Sequence, residues 1–127
     1  MLLYLGRYQE AEASLLNAIK IDKTAHAYHA LGNVYEQQQQ KQKAYLTFKT
    51  ATEIDPNHAD AYFNMGTVLQ QMRRHEEAIP AFETSAELDK TSGSALVNMG
   101  VSLKALGRIE EAIGMWELWL FMMLMRV

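Results

Sequence analysis

The chain has 127 residues, 49% hydrophobic and 21% charged, close to ordinary globular usage, so it is expected to bury a core rather than stay disordered. Its 12 Lys and Arg against 15 Asp and Glu leave a net charge of -3, without the basic stripe that displaces counterions from phosphates, so no nucleic-acid partner is expected. It contains no cysteine, which excludes disulfides, thiolate zinc sites and thiol nucleophiles.

Only Pro56 and Pro80 interrupt the chain, and nothing alternates apolar with polar residues as a half-buried strand would. The fold class is therefore all-α. The start, Met1 to Leu5, is apolar but lacks the basic n-region and the length of a signal peptide. No stretch reaches the roughly 18 to 20 apolar residues of a membrane helix, so the chain is expected to be soluble, without a membrane span, and cytoplasmic.

In chain order, Gly6-Arg7-Tyr8-Gln9-Glu10-Ala11, with Leu15, Ala18 and Ile21-Asp22, reads as the second half of a helix pair, turning at Gly6. Met1 falls near the end of a first helix, so this half-unit lacks most of its partner. The next segment places Tyr28, Leu31, Gly32 and Tyr35 on one helical face, then Ala44, Phe48 and Ala51 on another, and leaves by Ile54-Asp55-Pro56-Asn57. Gln37 to Gln40 cross the turn between these two helices.

Sliding the sequence by 34 residues repeats this unit. Ala25, Ala27, Tyr28, Gly32, Val34, Ala44 and Phe48 recur as Ala59, Ala61, Tyr62, Gly66, Val68, Ala78 and Phe82. On the next step Asn64, Met65, Gly66, Arg74, Glu76, Glu77, Ala78 and Ile79 recur as Asn98, Met99, Gly100, Arg108, Glu110, Glu111, Ala112 and Ile113. Glycine inside a helix costs about 1 kcal/mol against alanine, so its recurrence implies close approach of the partner helix. The second helices open on Arg74-His75-Glu76-Glu77 and Arg108-Ile109-Glu110-Glu111, acidic where the helix dipole favours it. Pro80 lies about one turn inside its helix and marks mild local strain.

Tyr28, Leu31-Gly32, Tyr35, Ala44, Phe48, Ala51 and Pro56 resemble one full unit of the tetratricopeptide repeat (TPR) family. The resemblance implies an α-solenoid of antiparallel helix pairs, a TPR superhelix of three full repeats plus a leading half repeat. The array is expected over residues 1–117, with a partial repeat at 1–24 and repeats at 25–58 and 59–92. The last repeat, 93–117, has a truncated second helix. Trp119 replaces the small residue of earlier units (Ala18, Ala51, Ser85), and Leu118 to Met125 run apolar without interruption. Residues 118–127 thus read as a non-repeat tail, a cut edge of the array or a docking surface, with possible self-association through Trp119–Met125.

The resemblance further implies that first helices line a concave groove that holds a protein or peptide. The candidate groove residues are His29, Asn33, Phe63, Asn64, Thr67, Asn98 and Val101. Asn64 and Asn98 share one slot in consecutive units. An aligned pair of amides can meet the backbone of an extended peptide without reading its side chains. This is similar to the asparagine ladder in O-linked N-acetylglucosamine transferases, although Ala30 fills the slot one unit earlier. The alternative it suggests is a substrate-recruiting arm of such a larger enzyme, its catalytic domain outside this chain. The carboxylate clamp of chaperone-binding TPR domains needs groove Lys and Arg, and only Lys104 is basic nearby. His26 and His29 have metal-compatible spacing but no third ligand beyond Asp60. No metal, cofactor or catalytic set is read, and the chain is expected to act as a non-enzymatic scaffold.

Overall fold

A computed structural model describes the backbone of residues 2–125 and the side chains of residues 6–125. Among the described residues the chain forms helices and short connections. The helices are α1 (Leu2–Ile21), α2 (Ala25–Gln37), α3 (Lys41–Ile54), α4 (Ala59–Gln71), α5 (His75–Leu88), α6 (Ser94–Ala105) and α7 (Ile109–Met125). Each helix packs on the next, so the fold is an all-α solenoid of helix pairs: α2 with α3, α4 with α5, α6 with α7, and α1 ahead of them.

The repeated glycines have the packing role their recurrence implies. A Cβ on Gly32 would lie 2.5 Å from the ring of Phe48, and one on Gly66 would lie 2.9 Å from that of Phe82. Both rings are fully buried, so neither can move aside, and the large aromatic of each second helix sits flat against its partner's backbone. In the third pair Trp116 replaces phenylalanine, stands 2.4 Å from a Cβ on Gly100, and donates its indole N–H to the Val97 carbonyl at 3.2 Å. The donation satisfies the one polar atom that the larger ring brings in.

Small residues close the other end of each pair. Ala25, Ala51 and Ala61 form a buried cluster in which α2 and α4 come close to α3. In the third pair Trp119 stands where Ala51 stood, and Gly93 stands where Ala25 stood. The indole lies 2.3 Å from a Cβ built on Gly93. Volume lost on one helix is thus recovered on the other. Trp119 is half-buried against the core of the last two pairs and belongs to the packed lattice.

Two expectations change. Gly6 marks no turn: it lies inside α1, which is one helix of 20 residues, with nothing within 4 Å of where its Cβ would be. Without a packed first helix to fold back on, the segment gains nothing from a turn and keeps its backbone hydrogen bonds by staying helical. The last second helix is not truncated either: α7 runs 17 residues, so residue 117 lies within a continuous helix. Leu, Met and Phe are adequate helix formers, and no Pro or Gly stands between Trp116 and Met125 to stop it.

Candidate functional site

The first helices α2, α4 and α6 stand side by side, and polar side chains join them. Asn64 on α4 places Nδ2 2.8 Å from His29 Nε2 on α2 and donates from the same amide to Asn33 Oδ1 at 3.2 Å. A neutral imidazole with its proton on Nδ1 accepts the first of these bonds. Burial, then the neighbouring His58 and His26 rings, lower the His29 pKa below its ordinary value, against an opposing pull from Asp60. The environment therefore favours the accepting form. His58 caps α4, its Nδ1 accepting from the Ala61 N–H at 3.3 Å, and its ring lies 4.8 Å from that of His29.

The α4 to α6 seam uses different residues. Gln70 Nε2 donates to the Asn98 carbonyl at 3.0 Å and to Ser102 Oγ at 2.9 Å. Ser102 is fully buried and also meets His75 Nδ1 at 3.3 Å. Gln70 and Ser102 were absent from the groove candidates, although a signal existed: Ser102 takes the slot that holds Val34 and Val68 in earlier units. A serine among valines, buried, needs partners.

The seven sequence candidates therefore divide. His29, Asn33 and Asn64 are brought together. Phe63 is largely a packing residue, its ring edge-on to Phe82 at 5.7 Å. The same slot in the previous unit puts His29 5.7 Å from Phe48. The Thr67 hydroxyl donates to the Phe63 carbonyl and the Asn98 amide to the Ser94 carbonyl, each four residues back on its own helix, at 3.0 Å. Val101 is exposed. Asn64 and Asn98 share a repeat position without sharing a role, since one bridges helices and the other turns back along its own. Each spends amide protons within the protein and leaves its side-chain carbonyl oxygen to accept.

Charge stays away from this row. Arg74 pairs with Glu77 and Arg108 with Glu111 at the starts of α5 and α7, and the Arg74 guanidinium also lies 4.9 Å from the centre of the Tyr45 ring. Among the described residues no group of three His, Asp or Glu could hold a metal ion, and no helix is long and apolar enough to cross a membrane. The largest hollow, about 720 Å³, lies between α5 and α7 and shares no lining residue with the asparagine row.

Comparison with known proteins agrees with this architecture. Family models described as tetratricopeptide repeat match residues 1–24, 25–58 and 47–79. No curated protein sequence matches the chain. Among solved structures, a crystal structure of MamA is similar with a TM-score of 0.90 and 26% identity, covering 96% of this chain and 72% of that one. A second MamA crystal structure has a TM-score of 0.87 at 27% identity, covering 93% of this chain and 65% of that one. YrrB, described as a TPR protein with an unusual peptide-binding site, has a TM-score of 0.82 at 23% identity, covering 94% of this chain and 62% of its own.

Proposed function

The chain belongs to the tetratricopeptide-repeat family, and on that premise we propose that it is a protein-interaction scaffold that holds an extended peptide or a partner helix along the row of α2, α4 and α6. One observation carries the reading: polar side chains of consecutive units meet in a half-buried, nearly uncharged row around His29, Asn33 and Asn64. Their amide protons are used internally, so Asn64 and Asn98 offer carbonyl oxygens to a ligand. Such a surface suits backbone N–H groups of a bound segment, with Val101 as an apolar neighbour. The fold shared with YrrB, itself described as having a peptide-binding site, supports the same use. The reading as the recruiting arm of a larger enzyme rested on an asparagine ladder, and the different hydrogen bonds of Asn64 and Asn98 give it no support.

A phage-displayed random peptide library selected on the chain tests the proposal. Selected peptides are expected to bind the Asn64→Ala, Asn98→Ala double variant at least tenfold more weakly, a loss of about 1.4 kcal/mol. Glu53→Ala on exposed α3 is expected to leave binding unchanged. Equal affinity for wild type and double variant would place the ligand elsewhere.

A further inference from the structure

We propose that two copies of this chain pair through the outward face of α7. Along that helix Ile109, Ile113, Trp116, Leu120 and Leu124 recur at helical spacing and share one side, with Phe121 at its margin. Five of them stay open: Ile109 is 46%, Ile113 44%, Leu120 52%, Phe121 59% and Leu124 66% exposed. The face continues an interface already present twice in the molecule. One unit earlier the equivalent positions, Ile79, Phe82 and Ala86, lie on α5 and are packed into the core that α6 completes. Two units earlier α3 carries Tyr45, Phe48 and the buried Thr52, covered by α4. At α7 the described chain supplies no next helix, and Val97, Ile113, Trp116 and Leu120 line an open hollow of about 360 Å³.

A second copy fits this face better than its other surfaces do. In that copy α2, α4 and α6 are each held between neighbours. Its α1 exposes a largely polar surface of Arg7, Gln9, Glu10, Asn17 and Lys20. Only α7 presents a matching apolar stripe. Two α7 helices running antiparallel form a self-complementary contact that closes at the dimer. A register with Ile113 beside Leu124 of the second copy also sets Trp116 beside Phe121, and keeps the two Glu117 carboxylates apart. With about 200 Å² for a fully exposed large apolar side chain, the five open residues supply on the order of 500 Å² per copy. The pair then buries about 1,000 Å², the size at which specific association begins.

Sedimentation equilibrium of the 127-residue chain over a range of concentrations tests the pairing. A monomer–dimer equilibrium is expected. Leu120→Glu and Leu124→Glu, both at exposed positions, are expected to weaken it at least tenfold with unchanged circular dichroism. Ile21→Glu on α1, 88% exposed, is expected to leave it intact. Because the chain has no cysteine, Ile113→Cys combined with Leu124→Cys reports the register: the double variant forms a disulfide-linked dimer on oxidation, and neither single variant matches its yield. A wild-type monomer at every concentration would overturn the proposal. So would growth beyond the dimer, or a dimer that survives both glutamates.

Discussion

Gln39, Arg73 and Gly107 stand 34 residues apart in the turn between first and second helices, with φ of 62°, 61° and 81°. Left-handed backbone costs a residue with a Cβ roughly 1 kcal/mol, and glycine avoids that cost. Only the last unit uses glycine there. The glutamine run thus crosses a turn that forces one of its members into a conformation it disfavours, and Arg73 shares the condition. Gln39→Gly and Arg73→Gly are each expected to stabilise the fold by about 0.5–1 kcal/mol, seen as a higher urea midpoint with unchanged slope. Both side chains are exposed, so no lost packing offsets the gain. Gly66→Ala acts in the opposite direction, because its Cβ would meet the buried Phe82 ring at 2.9 Å. A loss of about 1–3 kcal/mol is expected on the same assay, and a neutral result would contradict the close packing of α4 on α5.

At the scale of the helix, α7 shows how one departure from the repeat is absorbed by another. Trp119 reads in sequence as a break, since a large ring enters a slot for alanine or serine. The tertiary structure pairs it with Gly93, and that pairing is invisible along a sequence because the two positions lie on different helices, 26 residues apart. Gly93→Ala is expected to destabilise the chain by about 1–3 kcal/mol through overpacking against the indole. The Trp119→Ser variant is expected to tolerate Gly93→Ala far better, since serine restores the residue found at Ser85. A double-mutant cycle in urea checks the coupling; additive effects would show that the two side chains do not share one space. The same helix sorts the apolar tail. Trp119 and Met122 turn toward the core, while Leu120, Phe121 and Leu124 remain outside.

For the whole molecule, stability of a solenoid depends on the seams between neighbouring units. The seam between α2 and α4 contains the His29 to Asn64 bond, and burial holds the His29 pKa below its ordinary value. A histidine whose folded pKa is depressed stabilises the fold fully above its unfolded value near 6.5, and that contribution is lost as pH falls through the folded value. The urea midpoint is therefore expected to drop between pH 7.5 and pH 5, and to drop less in His29→Gln, whose amide keeps its hydrogen-bonding capacity without titrating. An equal drop in both would place the pH sensitivity at other groups. Sequence by itself determined the all-α class, the 34-residue period, the aromatic-on-glycine contact inside each pair and the slots that face α2, α4 and α6, because each follows from local periodicity and the size of single side chains. Only the tertiary structure decided that Asn64 bridges helices while Asn98 does not, that Gln70 and Ser102 tie the next seam, that α1 runs straight through Gly6 and that Trp119 fits against Gly93. Those outcomes depend on distances between residues far apart in the chain, and repeat spacing aligns positions without setting which neighbours they meet.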